Sequence, residues 1–165
     1  MKKLYELPRE FAEKWLAALR SGEYQQGRGT LVHMRYKDNT ATVGTPEYCC
    51  LGVACRIEGI DPEAMVDRGF PEDIMALTVK VPTSIFGPHI DNDTSIPSLG
   101  GVLGALNDGN EINTKVKDEE GIDIIINPEE KKYSFEEIAD WIEANVELIE
   151  VEEPEPTIPD LEYPQ

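Results

Sequence analysis

The spacing of apolar residues divides the chain into a few helices joined by short strands and turns. Phe11, Trp15, Leu16 and Leu19 recur at helical spacing and form one apolar face. That helix opens at Leu7-Pro8-Arg9-Glu10, with proline where a missing N–H costs least, and closes at Ser21-Gly22. Glu23 to Gly29 is too polar and glycine-rich to continue it. Thr30 to Tyr36 is rich in β-formers, Lys37-Asp38-Asn39 reads as a turn, and Thr40 to Val43 as the returning strand.

A second helix is built on Tyr48-Cys49-Cys50-Leu51-Gly52-Val53-Ala54-Cys55. Thr45 is its expected cap, Pro46 its first position and Gly59 its end, with Cys50, Val53, Ala54 and Ile57 in one stripe. Residues 61–97 are less regular. Helical turns are expected near 62–66 and 71–77, a strand at Thr78–Val81, and a loop from Pro82 to Pro97. Ser98 to Asp108 returns to helical spacing with Leu99, Val102, Leu103 and Leu106. Gly100, Gly101 and Gly104 lower its helix propensity by ~1 kcal/mol each, which predicts another backbone packed close, from this chain or from a second copy in a homo-oligomer.

Ile112–Val116 and Ile122–Ile126 flank Asp118-Glu119-Glu120-Gly121 and predict a β-hairpin. Ser134-Phe135-Glu136-Glu137 fits a capping box that starts a helix running to about Leu148. From Glu150 onward prolines and acids exclude a helix and oppose collapse. The expected organisation is one globular domain over 1–149 and a flexible acidic, proline-rich tail over 150–165. The expected fold is α+β: three to four helices around the central cysteine-containing helix, with small antiparallel hairpins. Trp15, Leu19, Leu51, Val53, Ile57, Leu103, Leu106, Ile138, Trp141 and Ile142 are the expected core.

Length and charge sharpen this picture. At 165 residues with 40% hydrophobic residues, the chain has enough apolar material for a core. No run approaches the ~18 apolar residues of a membrane span, and Met1 to Glu6 lacks a signal-peptide core, so a cytoplasmic protein without membrane contact is expected. Net charge is −18 and unevenly spread. Residues 1–60 hold nine Lys/Arg against seven Asp/Glu, a balance of +2; residues 61–165 hold six against 26, a balance of −20. Such a field opposes direct nucleic-acid binding, which depends on counterion release by Lys and Arg. An anionic ligand would need the N-terminal third.

Several blocks in order carry a resemblance. Trp15-Leu16-Ala17-Ala18-Leu19-Arg20-Ser21-Gly22-Glu23-Tyr24-Gln25-Gln26-Gly27-Arg28-Gly29 precedes the Tyr48 to Cys55 block; Leu106-Asn107-Asp108 and Ser134-Phe135-Glu136-Glu137-Ile138-Ala139-Asp140-Trp141-Ile142-Glu143 follow. This order resembles a group of small proteins of tailed bacteriophages and prophages, most specifically in the Tyr-Cys-Cys-Leu-Gly-Val block. This chain departs from the group by extra residues before the cysteine helix and an added hairpin before Ser134. The resemblance implies a phage setting and no catalytic assignment; proteins of this kind often blunt a host enzyme or defence signal.

Candidate chemistry is sparse. Three cysteines, two adjacent, do not make a disulfide framework. A thiol at a helix N-terminus can be a nucleophile, which singles out Cys49 or Cys50, with His33 or His89 as base and Asp91 or Asp93 to orient it. Small core residues are the stronger reading, since no spacing ties histidine to thiol. Cys50 and Cys55 are too far apart for a zinc knuckle, and Asp91-Asn92-Asp93 lacks the rest of a calcium loop, so neither metal nor cofactor is expected. Gly27-Arg28-Gly29 is the best ligand hint. Glycines free backbone N–H groups for an anion, and arginine forks onto phosphate. Arg28 and Arg35 would hold phosphate while Tyr24 or Tyr36 stacks on a base, with His33 and Lys37 nearby. The leading expectation is therefore a non-enzymatic, counter-defence protein that sequesters a small anionic, nucleotide-derived ligand. The alternatives are an acidic inhibitor that binds a host protein by imitating nucleic acid, and a cysteine-dependent hydrolase.

Overall fold

The computed structural model describes residues 5–40, 42–68, 98–117 and 123–150. The expectations for 71–97, including His89, Asp91 and Asp93, and for the tail beyond Glu150 lie outside these residues. The fold is α+β. In chain order it runs β1 (Tyr5–Pro8), α1 (Arg9–Arg20), β2 (Val32–Arg35), β3 (Thr45–Tyr48), α2 (Cys50–Ile57), α3 (Pro62–Met65), α4 (Leu99–Asp108), β4 (Ile112–Lys117), β5 (Asp123–Ile126), α5 (Phe135–Asn145) and β6 (Val146–Ile149).

Helices α1 and α4 pack on opposite partners of a chain of contacts through α2, and α5 packs on both α1 and α4. The interior is what the periodicity predicts. Trp15, Leu51, Val53, Leu103, Leu106, Ile138 and Ile142 are all essentially inaccessible. Ile57 and Trp141 pack half-buried at the edge of this cluster. A fully buried indole needs an acceptor for its N–H, and Trp15 Nε1 donates to the Cys50 carbonyl at 3.0 Å. That bond ties α1 to the first turn of α2.

Local signals set several helix ends. Ser134 accepts from the Glu137 N–H while the Glu137 carboxylate accepts from the Ser134 N–H, a complete capping box. Ser98 caps α4 by accepting from Gly101, and Gly109 closes it in the left-handed conformation. The expected hairpin is present as antiparallel β4–β5.

Three boundaries differ from the sequence reading. The strand returning from β2 is Thr45–Tyr48, not Thr40–Val43, so Thr45 and Pro46 lie in β3, opposite Arg35 and Met34. The cap of α2 is Cys49, whose Sγ accepts from Gly52 N at 3.4 Å. At the C-terminal end α5 stops at Asn145, and Val146–Ile149 forms β6, paired in parallel with Tyr5–Pro8. Val146 and Leu148 fit either a helical or a strand pattern, and a partner about 140 residues away decides between them.

Gly52 is required by close approach. The Cys49 N–H donates to the Leu31 carbonyl at 3.1 Å, which lays that segment across the first turn of α2. A Cβ on Gly52 would overlap the Leu31 oxygen and sit 2.9 Å from its carbonyl carbon. Neither backbone can give way, since Leu31 N is also held by the Arg68 carbonyl at 2.7 Å. Gly52→Ala is expected to destabilise the protein by about 3 kcal/mol or more despite alanine's better helix propensity. Urea unfolding of the two proteins checks this; a stability change within ~0.5 kcal/mol would contradict it.

Candidate functional site

The Gly27-Arg28-Gly29 strap lies against the C-terminal end of α4. Gly27 N donates to the Tyr48 carbonyl at 2.7 Å, and Gly27 is buried against Glu47, whose Cβ would be 2.9 Å from a Cβ at this position. Arg28 Nε donates to the Asn107 carbonyl at 2.9 Å. Gly29, at φ +87°, donates its N–H to Asp108 Oδ1 at 3.0 Å. The backbone donors that sequence reasoning offered to an external phosphate thus serve an internal carbonyl and an internal carboxylate.

Asn107 organises this corner. It is fully buried. Its Nδ2 donates to the Gly27 carbonyl at 2.9 Å and to Asp108 Oδ1 at 3.0 Å. Its Oδ1 accepts from Gln26 Nε2 at 2.9 Å and from Cys50 N at 3.3 Å. A polar side chain this deep survives because each lone pair and each N–H is used.

The other proposed ligand residues point to separate duties. Arg35 forks onto the Glu47 carboxylate, with Nε at 2.7 Å. Tyr24 is half-buried and packs edge-on to Tyr48, ring centroids 5.3 Å apart. Tyr36 is 52% exposed, its ring above Gly44. His33 and Lys37 are exposed. Among the described residues, no hydrogen bond, ion pair or ring contact joins any two of Tyr24, Arg28, Arg35 and Tyr36.

A cleft of about 260 Å³ does lie beside the strap, and none of those four residues lines it. Gly29 and Thr30 form one wall, Cys49 and Leu51 a second, and Gly101, Gly104, Ala105 and Asp108 of α4 a third, with Asn110, Glu111 and Ile112 at the end. Sequence reasoning missed Asn107 and Asp108 as site residues. The available signal was a polar pair following Leu103 and Leu106 on an apolar helix, inside the Leu106-Asn107-Asp108 block.

The thiols are free, buried and protonated at neutral pH. Burial pushes Cys49 up to about 11 and Cys55 up to about 12. Burial also raises Cys50 well above the ordinary thiol value, and its Sγ donates to the Leu103 carbonyl at 3.5 Å. A protonated, enclosed thiol is a poor nucleophile. Histidine 33 stands on β2 opposite Glu47, and His89 lies outside the described residues. Among the described residues no group of His, Cys, Asp or Glu is placed to hold a metal ion.

Residues 7–68, under half of the chain, match a family described as a domain of unknown function (DUF8296). No curated protein and no solved structure matches the chain. The matched span holds the strap and α2 but stops short of Asn107 and Asp108.

Two outcomes follow from the buried groups. Asn107→Asp replaces two donors by a carboxylate facing the Gly27 carbonyl and the Asp108 carboxylate. Burial and a like charge raise the folded-state pKa of the new acid above its unfolded value. Its folded form then binds protons more strongly, so stability is retained at acid pH and lost as pH rises. The variant should lose about 3–5 kcal/mol at pH 8 and less at pH 5, measured by denaturant titration at both. The thiols act at the alkaline end. Cys49 and Cys55 are raised from an ordinary value of 9.0 to about 11 and about 12. Their contribution is intact below pH 9 and falls as pH climbs toward those folded values, by up to ~1.4 kcal/mol per pH unit for each thiol. The slope of thermal stability between pH 9 and 11 should flatten in a Cys49→Ala, Cys55→Ala double variant.

Proposed function

We propose that the chain is a non-catalytic binding protein whose acidic surface captures a basic face of a host protein, in the manner of a nucleic-acid mimic. The resemblance to small proteins of tailed phages supports a counter-defence role in the host cytoplasm. Among the described residues no helix is long and apolar enough to cross a membrane.

The observation that carries this reading is the fate of the basic residues. Arg9 bonds Glu150 at 2.6 Å, and Lys14 bonds Glu58 at 3.0 Å. Arg20 pairs with Asp140 and Glu143, and Arg35 with Glu47. Arg9, Lys14, Arg20 and Arg35, four of the nine basic residues of the N-terminal third, thus lie on carboxylates, three of them from the C-terminal end. With 15 Lys/Arg against 33 Asp/Glu, intramolecular pairing leaves at least 18 acids unmatched, the net charge itself. A surface of one sign steers association with a basic partner and repels phosphate-bearing ligands. Nucleotide capture by Tyr24, Arg28, Arg35 and Tyr36 would first have to displace Glu47 and the Asn107 carbonyl.

The test compares partner and ligand directly. The immobilised full chain is exposed to bacterial lysate, the retained protein is purified, and its affinity is followed from ~0.05 to ~0.5 M salt. Affinity should fall steeply with salt. A Glu129→Lys, Glu136→Lys, Glu147→Lys variant, changed by six charges from −18 to −12, should bind at least ~10-fold more weakly. A salt-indifferent complex would overturn the reading. So would saturable binding of cyclic or linear nucleotides in calorimetry that is lost in an Arg28→Ala, Arg35→Ala variant, because that result restores anion capture.

A further inference from the structure

We propose that the cleft between the Gly29–Thr30 turn, the start of α2 and the glycine face of α4 binds a small organic cation, a protonated primary amine on a short apolar body. This inference is independent of the docking surface above and rests on different atoms.

Asp108 sets the chemistry. Its Oδ1 accepts from Gly29 N and from Asn107 Nδ2, each at 3.0 Å. The carboxylate is thereby held in one orientation by two donors that are themselves fixed, which is the preorganisation a binding group needs. Its Oδ2 has no hydrogen-bond partner among the described residues. Among the described residues no Lys, Arg or His lines the cleft, and the second charged group there is the Glu111 carboxylate. A half-buried carboxylate with one unused oxygen favours a donor that carries positive charge, since charge-assisted hydrogen bonds are the strong ones. An anion would be repelled. A neutral apolar guest would desolvate the carboxylate and offer nothing in return.

The walls fit the rest of such a molecule. Cys49 is only 5% exposed and lines the cleft as a polarisable thiol whose Sγ accepts from Gly52 N. Leu51 and Ile112 supply apolar surface. On α4, a Cβ at Gly101 would meet, among the described residues, only Ser98 Oγ at 3.1 Å. At about 260 Å³ the cleft is below the usual range for drug-sized ligands, which points to a short chain.

The full chain is titrated with n-butylamine and putrescine, and with 1-butanol and butyrate as neutral and anionic counterparts, followed by amide NMR shifts. Saturable shifts at Gly29, Asp108 and Glu111 are expected with the amines only. Asp108→Asn keeps an oxygen for Gly29 N and Asn107 Nδ2 but removes the charge, and should weaken amine binding at least tenfold with an unchanged melting temperature. Equal amine affinity in parent and Asp108→Asn would overturn the proposal, as diffuse attraction to an acidic surface predicts that result. Equal binding of 1-butanol would overturn it too.

Discussion

The side chain of Asn107 holds together three segments that lie far apart in the chain. It reaches the strap at Gln26 and Gly27, the start of the cysteine helix at Cys50, and its own neighbour Asp108. Burying an amide removes it from water at a cost of a few kcal/mol unless partners replace the lost hydrogen bonds. Here two donors and two acceptors are all used, so the cost is offset only when every segment is in place. That condition makes the arrangement specific. A shifted strap would strand buried donors, and a rotated α4 would carry Asn107 away from Cys50. The tight glycines are consequences of the same geometry. Gly27 lets the strap lie on Glu47, and Gly52 lets the Leu31 carbonyl rest on the first turn of α2.

Charge works on a larger scale. Read linearly, the chain looks bipolar, with a slightly basic third and a strongly acidic remainder. Folding removes that polarity. Parallel pairing of β1 with β6 brings the two ends side by side, and Arg9 then reaches both the Glu150 carboxylate and the Leu148 carbonyl. Packing of α1 on α5 sets Arg20 beside Asp140 and Glu143. Such exposed pairs contribute little stability each, ~1 kcal/mol or less. Their larger effect is on the outer field: of the two arginines that a sequence reading assigns to an anionic ligand, Arg35 is held by the Glu47 carboxylate and Arg28 by the Asn107 carbonyl.

The parts legible in the sequence were those whose cause is local. The Ser134–Glu137 box, the Ser98 cap with Gly109, and the apolar faces of α1 and α4 are each decided within a few residues, and each stands where the pattern put it. The α+β class followed from those elements and the β4–β5 hairpin. What could not be read was pairing at a distance. Val146 to Leu148 continued a helical pattern until Tyr5 to Leu7 claimed it as a strand. Thr45-Pro46 carried a helix-start signature, yet it serves as the partner of β2 because the longer connection from Tyr36 to Gly44 delays the return. The candidate site failed in the same way. Gly27-Arg28-Gly29 reads in the sequence as a strap for an external anion, whereas in the fold Gly29 N donates to Asp108, 79 residues onward, and Gly27 N and Arg28 Nε to carbonyls.

That last substitution links the two halves of the functional argument. A glycine-rich turn gathers N–H groups around negative charge, and the chain supplies the charge itself at the end of α4. The donors occupy one oxygen of Asp108 and leave the other at the wall of a cleft with no basic lining residue among those described. In a low-dielectric corner, a hydrogen bond to one oxygen polarises the group without neutralising it, and the unused oxygen remains a competent acceptor. The strap therefore inverts the sign of what this corner can recognise. A motif that would attract phosphate in isolation becomes, once its internal carboxylate is seated, the rigid backing of a cation-selective surface. On a larger scale Arg9, Arg20 and Arg35 are held by the protein's own acids, and the net charge stays negative.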